Sequence, residues 1–433
     1  MATRDKQGNH QGASVATDFS DAVQEGTTRS NSPSVALVMD WLTTVGGAER
    51  VLKSIHDCYP DAPIYTSQYR EKGIDWFKDA DVRTGWLNYF PAKMRRLLGP
   101  LRQLYFNHLD LSDYDIVISV TGAEAKSVIT NNPKKGTKAT HFCYCHVPTQ
   151  YYWGAYDQYI ENPGFGPFNG LVRSIFKLIV NPLKKADYKA AQRPDYYITI
   201  SQFAADQIKK YYGKDVKVIN PPVSTENFHT PVENSTTKKG IVKSKKPEQP
   251  EQDSSTPGIS PPGSYFINFS RQVNWKRLDL AIKACLKTHE HLVLIGTGAE
   301  HEPLVKLANG SNLITFLPQM PQSELKKHLA HAKAFIFPSE EPFGIAPVEA
   351  LAAGCPTIAY GSGGALDYVK EGKNGLLFPE QTVDSLVSAI KKFNQLSQEK
   401  TPPFPVKQVQ HSADFFSEPN FKRKLKAYIN EKA

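Results

Sequence analysis

Ser339-Glu-Glu-Pro-Phe-Gly-Ile-Ala-Pro-Val-Glu349 decides the reading of this chain. The apolar run just ahead of it, Ala334-Phe-Ile-Phe337, fits a buried parallel strand. Gly344 lets backbone come close to a ligand, and Ile345 to Ala353 is rich in helix formers with a proline early in the run. Gly354-Cys-Pro356 then opens a second strand. In such a strand-turn-helix unit the free amides of the helix start favour an anion, and a pyrophosphate is the usual guest. Glu341 falls in the turn and Glu349 about one turn into the helix. Carboxylates are purely acceptors, so one suits sugar hydroxyls and the other a ribose diol. Two surface glutamates beside a core helix would show the same pair. The Phe-Gly turn and the exit Ala350-Leu-Ala-Ala-Gly-Cys-Pro356 argue for a site.

Working outward, 433 residues suffice for two large domains, each with its own core. Lys+Arg 52 against Asp+Glu 43 leaves +9, an excess that suits an anionic nucleotide ligand or an anionic membrane face. No helix-turn-helix, zinc-finger or aromatic RNA-binding pattern accompanies that charge, so nucleic acid is not the expected partner. The five cysteines are odd in number and lack disulfide-like spacing, which fits a reducing cytosol. The first 32 residues hold no apolar signal-peptide core, and no apolar run approaches about 18 residues. The expectation is a cytoplasmic protein, soluble or peripheral on the cytoplasmic face of a membrane.

Residues 1–32 are polar and read as a disordered tail. Val35-Ala-Leu-Val-Met39, then Asp40 to Arg50, then helical spacing through Ile55 read as strand, loop and helix. Short apolar runs at 116–118, 139–144, 196–200 and 217–219 alternate with helical stretches, so a Rossmann-like domain spans 33–228. The Thr, Ser, Lys, Glu, Gln and Pro of 229–263 read as a disordered insertion or linker. Strands at 265–269, 292–295, 313–316, 335–337 and 357–359 repeat the rhythm over 264–398. The expected fold class is therefore α/β: two Rossmann-like doubly wound domains facing a cleft between their strand C-termini.

The Glu341–Glu349 segment resembles the donor-site motif of the GT-B glycosyltransferases, in the large retaining family 4 that includes GDP-mannose-dependent mannosyltransferases. The resemblance covers about 34–228 and 264–395. It implies transfer of a hexose, with mannose from GDP-mannose the best match, to a glycan or lipid-linked acceptor in cell-surface polysaccharide synthesis. It also implies no cofactor or metal, a donor site in the second domain, and a C-terminal helix, about 411–433, packed back on the first domain.

Within that resemblance Arg271 and Lys276, in Ser270-Arg-Gln-Val-Asn-Trp-Lys276, match the family's Arg and Lys. Fixed cations there would stabilise a departing diphosphate. Gly46-Gly47 matches a glycine-rich loop on the first domain. His146, in His141-Phe-Cys-Tyr-Cys-His146-Val-Pro148, matches a histidine that hydrogen-bonds the transferred sugar, although Gln150 stands where relatives carry Arg. The implied catalytic residues are His146, Arg271, Lys276 and Glu341. The implied donor-binding residues are Gly46, Gly47, Phe343, Gly344, Ile345, Glu349, Gly363 and Gly364. Gly296-Thr-Gly298 is a further candidate for the nucleotide, on a weaker pattern. Cys143, Cys145 and His146 lack a second ligand pair, so no metal is expected. Asp113-Tyr-Asp115 reads as a strand-opening turn.

The stretch Leu171 to Val180, followed by Lys184 and Lys185, mixes apolar and basic residues. Its composition favours a core-packed helix with a basic outer face over a membrane-surface helix. Three alternatives stay open: a nucleotide-sugar epimerase, a sugar phosphorylase of the same architecture, or a non-catalytic sugar-nucleotide or glycan-binding protein.

Overall fold

The computed structural model describes residues 33–92, 94, 98–161, 166, 169–229, 263–399 and 403–433. The polar stretch 1–32 and nearly all of 229–263 lie outside the described residues. Two parallel sheets organise the rest. The first takes β1 (Val35–Met39), β2 (Ile64–Thr66), β3 (Val82–Thr84) and β4 (Ile116–Thr121). A small antiparallel pair, β5 (Asn131–Asn132) and β6 (Thr137–Lys138), stands apart. The first sheet continues with β7 (Thr140–Cys145), β8 (Tyr196–Thr199) and β9 (Val216–Val218), in the order β3-β2-β1-β4-β7-β8-β9. The second holds β10 (Tyr265–Phe269), β11 (His291–Ile295), β12 (Ile314–Leu317), β13 (Phe335–Phe337), β14 (Thr357–Tyr360) and β15 (Gly375–Phe378), in the order β12-β11-β10-β13-β14-β15.

Both orders reverse direction once, between β1 and β4 and between β10 and β13. In an open parallel sheet ligands bind at that reversal, beyond the strands' carboxyl ends. The loops leaving these four strands are therefore where function is to be sought. Strands β1 and β4 are buried along their whole length, as covering helices on both faces require. The strands β2, β3 and β15 escaped the sequence reading; β3, Val-Arg-Thr, is an edge strand with no buried residue to give it an apolar pattern.

The chain returns to the first lobe at its end. Val223 donates its N–H to the Phe416 carbonyl at 2.9 Å, and the helix Glu418–Lys432 follows. Phe421 meets Tyr144 edge-on at 5.9 Å, and Tyr428 packs against Phe142 and Tyr196. Phe421, Leu425 and Ile429 are buried at four-residue spacing, on one apolar face of the helix.

The helix Asn169–Ala190 corrects one expectation. It is not packed in the core over its first half: Leu171, Ile175 and Leu178 are exposed, Leu178 by 81%, and burial is confined to Val180, Asp187 and Ala190. The apolar residues at these positions face outward beside the lysines.

Candidate functional site

The loop after β10 is shaped by close approach. A Cβ on Gly296 would stand 2.4 Å from the Ser270 carbonyl oxygen, and one on Gly298 2.2 Å from that of Gln272. These two glycines, candidates for nucleotide contact, let the β11 turn lie under residues 270–272. Buried Gln272 locks the loop, donating from Nε2 to the Gly296 carbonyl at 2.7 Å. A 3-10 turn, Asn274–Lys276, then turns the chain through Arg277, at φ 51, into the helix Leu278–Thr288.

That turn delivers Lys276 to the loop after β13. Its Nζ lies 2.5 Å from Glu341 Oε1, with the two side chains only 15% and 18% exposed, and Ser339 Oγ donates to the same oxygen at 2.8 Å. Two residues assigned from distant stretches of sequence thus meet at the second sheet's reversal. Arg271, in contrast, is exposed and sits with its guanidinium over the Trp275 ring, 6.0 Å from the centroid. The structure does not bring it against Glu341.

Gly344 adopts φ +88 and caps the helix Ile345–Ala352. A side chain there would come within 2.7 Å of the Phe337 ring and 2.9 Å of the Tyr368 hydroxyl. Gly363 and Gly364 press on the other side of the turn: a Cβ on Gly363, at φ +65, would stand 2.4 Å from the Glu341 carbonyl oxygen, and Gly364 donates its N–H to that oxygen at 2.8 Å. In this structure both glycines support the Glu341 turn. Phe343 points into the core, against Tyr368 and Phe416, so its side chain is structural.

The first lobe closes over this turn. A Cβ on Gly47 would stand 3.2 Å from Ile345 Cδ1, so the glycine loop lies against the helix start. Arg50 Nη1 reaches Glu349 Oε1 at 3.0 Å. Burial pushes the Glu349 carboxyl up, and the Arg50 guanidinium pulls it down. Ser201 Oγ donates to the Pro342 carbonyl, and Asp367 accepts from Asn220 Nδ2 at 2.8 Å and from the Gln202 N–H. Burial raises the Asp367 carboxyl, against those donors.

On the first lobe's side of the cleft, His146 follows β7 and donates its N–H to the Thr121 carbonyl at 2.9 Å. Its ring meets Tyr144 edge-on at 5.6 Å, and Nε2 is sealed from solvent without a partner. Burial pushes the imidazole down to about 4, opposed by Asp40, so it is neutral at neutral pH. Asp40, at the end of β1, accepts from Thr121 Oγ1 at 2.9 Å, Gly122 N–H at 3.0 Å and Ala125 N–H at 2.7 Å. Cys143 and Cys145 lie in a buried cluster with Tyr197 and Tyr212.

Sequence reasoning missed two buried ion pairs beneath this wall. Arg102 Nε binds Glu124 Oε2 at 2.9 Å, with Tyr151 donating to the other oxygen and the Trp41 ring under the guanidinium. Lys126 Nζ binds Asp187 Oδ1 at 2.7 Å; Asp187 also accepts from Thr149 Oγ1, Trp153 Nε1 and Tyr212 Oη. The only sequence signal was Thr121-Gly-Ala-Glu-Ala-Lys126 directly after the central strand β4, where charged residues have no solvent to reach.

Residues 251–402 match the family model described as glycosyl transferases group 1. Of the solved structures, sucrose-phosphate synthase from Thermosynechococcus elongatus superposes with a TM-score of 0.63 at 15% identity, covering 92% of this chain and 99% of its own. Anabaena HepE in complex with UDP does so at 0.62 and 18% identity, covering 92% and 100%. The chain has the GT-B fold, and residues 251–402 within it resemble a group 1 glycosyltransferase domain. Its GT-B cleft is the groove between the two sheets, with Lys276 and Glu341 on the second lobe and Gly47 and Arg50 opposite. Among curated proteins, the GDP-mannose-dependent alpha-(1-6)-phosphatidylinositol monomannoside mannosyltransferase of Mycobacterium tuberculosis is 36% identical over 110 residues, 23% of this chain and 29% of that one. The uncharacterized glycosyltransferase YqgM of Bacillus subtilis is 26% identical over 208 residues, 46% and 51%. The chain thus spans about half the length, or less, of these two relatives.

Proposed function

We propose that this GT-B protein is a retaining, metal-independent glycosyltransferase that moves mannose from GDP-mannose to a hydroxyl on a glycan or lipid-linked acceptor in polysaccharide synthesis. The observation that carries the reading is the Lys276–Glu341 pair at the second sheet's reversal, a cation and a carboxylate in the turn ahead of the helix start on which the first lobe's glycine loop rests. A donor diphosphate competes with Glu341 for Lys276, and Arg271 swings from Trp275 to join it. The helix-start amides at Ile345 supply further positive field. Because charge grows on the diphosphate as the glycosidic bond breaks, these fixed charges lower the barrier more than they aid ground-state binding.

Glu341, released from Lys276, orients the sugar hydroxyls, and Glu349 takes the ribose diol. Neutral His146 exchanges hydrogen bonds with the hexose ring without adding charge. The acceptor oxygen attacks from the face the diphosphate leaves and passes its proton to the departing diphosphate oxygen, which retains configuration and balances the step, and lobe contact excludes the water that would compete. The mannosyltransferase relatives support GDP-mannose, whereas HepE was solved with UDP, so the donors tested carry both bases.

The exposed Leu171, Ile175 and Leu178, with Lys177, Lys184 and Lys185 on the same helix, support peripheral attachment to an anionic membrane on the cytoplasmic face. Asp187, the acidic residue of that helix, is neutralised internally by Lys126. Among the described residues no helix is long and apolar enough to cross a membrane.

Thermal-shift screening against GDP-mannose, UDP-glucose, UDP-N-acetylglucosamine and the free nucleotides, followed by chromatography with a lipid-linked glycan acceptor, tests the whole reading. GDP-mannose should raise the unfolding midpoint most and yield a mannosylated product. A preference for a UDP-sugar would replace the donor. Isomerisation, phosphorolysis or binding without turnover would replace the reaction.

A further inference from the structure

Arg50 belongs to the first lobe but serves a residue of the second. It stands one turn into the helix Gly47–His56 of the first lobe, yet its Nη1 lies 3.0 Å from Oε1 of Glu349 in the second. Glu349 is only 7% exposed, and its neighbours along the helix Ile345–Ala352 (Pro347, Val348, Ala350 and Leu351) are buried and apolar. A carboxylate in such surroundings needs a counter-charge, and among the described residues Arg50 is the charged group that acts on it.

We propose that Arg50 is a positioning residue acting across the cleft: it binds one carboxylate oxygen of Glu349 and leaves the other to accept from the donor's vicinal diol, so that the second lobe's donor site is completed by the first. This rests on the reading that Glu349 takes the ribose diol. Its consequence is that donor affinity is coupled to lobe contact, because parting the lobes strips Glu349 of its counter-charge. Where Arg50 is removed with the lobes still in contact, burial drives the carboxyl toward its neutral form, a poorer acceptor.

The sign of the pH effect follows. In wild type, Arg50 opposes the burial shift and donor affinity is flat across neutral pH. In Arg50→Ala the Glu349 carboxyl rises further, so the carboxylate is present at high pH and lost as pH falls through the raised value. Arg50 also lines a cavity of about 250 Å³ with Lys53, Trp76, Ser224, Gln322 and Glu418, which gives a guanidinium ion a route to the space the exchange leaves.

The experiment measures binding of GDP-mannose and UDP-glucose by calorimetry between about pH 6 and pH 9, with wild type, Arg50→Ala, Arg50→Lys and Glu349→Gln. Arg50→Ala should weaken binding about 10- to 100-fold at the acid end, the worth of a charged hydrogen bond, and recover toward the alkaline end. Low concentrations of guanidinium should restore it, and Arg50→Lys should lie between. Wild-type affinity for Arg50→Ala at every pH overturns the proposal, as does an equal loss at every pH without guanidinium recovery. If Glu349→Gln binds like wild type, the donor-site reading of Glu349 fails first. The charge contact is then still read from thermal midpoints: Arg50→Ala should lose stability relative to Arg50→Ala/Glu349→Gln as pH rises by more than wild type does relative to Glu349→Gln, since a carboxyl raised by burial and stripped of its counter-charge holds its proton longer folded than unfolded. The same pH dependence in the two pairs refutes the contact as well.

Discussion

Replacing Lys126 by Met leaves Asp187 charged in the dry interior of the first lobe, and the structure sets the size of the effect. The two groups lie 2.7 Å apart with side chains 1% and 0% exposed. At an effective dielectric near 20 their attraction is about 6 kcal/mol, set against a desolvation cost of several kcal/mol per ion. The pair therefore contributes little net, but breaking it strands one charge, at about 3–5 kcal/mol. Lys126→Met should lower the thermal midpoint by about 6–20 °C for a domain of this size. The double variant Lys126→Met/Asp187→Asn removes both charges, while the amide oxygen still accepts from groups such as Thr149, Trp153 and Tyr212. It should recover to within about 2 kcal/mol of wild type. Urea unfolding followed by tryptophan fluorescence is the assay, and Trp153 reports from inside the network because its Nε1 donates to Asp187 at 2.7 Å. A single variant within about 1 kcal/mol of wild type, or a double variant as unstable as the two single losses added, would refute the account.

Glu341→Gln and Lys276→Ala should each lower kcat/KM by about a hundredfold or more while the fold persists; full turnover in either removes the pair from the active site. Gly363→Ala forces a side chain at φ +65 to within 2.4 Å of the Glu341 carbonyl, so the turn must shift. It should cost at least about 1–3 kcal/mol and weaken donor binding, checked by urea midpoint and calorimetry. His141 and His146 are both pushed down to about 4 by burial, chiefly opposed by Asp195 and Asp40 respectively. The unfolded chain therefore binds protons near pH 6.5 that the folded chain refuses until about pH 4, so stability falls on acidification through that window. His146→Gln should flatten the urea midpoint's fall between about pH 6.5 and pH 5, and an unchanged slope would place the acid sensitivity elsewhere.

Much of the site was legible because its signals are local. Gly344 is needed where φ reaches +88, the helix after it follows from its residue types, and Glu341 is placed in the turn by simple spacing. The β-strands with long apolar runs, such as Val35–Met39 and Tyr265–Phe269, showed for the same reason. Arg50, Asp40 and the pairs Arg102–Glu124 and Lys126–Asp187 were not legible, since their partners lie between 22 and 299 positions away and a lone charged residue reads as solvated. The outward face of Asn169–Ala190 was misjudged because apolar residues at helical spacing say that a face is apolar, not what covers it.

By itself the sequence determined the α/β rhythm, the turn chemistry around Glu341 and the family resemblance, all carried by residues a few positions apart that act through backbone conformation and periodicity. Only the tertiary structure decided that Lys276 meets Glu341, that Gly363 and Gly364 brace that turn, and that Arg50 supplies Glu349 with its charge from the opposite lobe. The physical reason is that a charge's behaviour depends on burial and on what stands within about 4 Å of it, and both are settled by how two separately wound sheets come together.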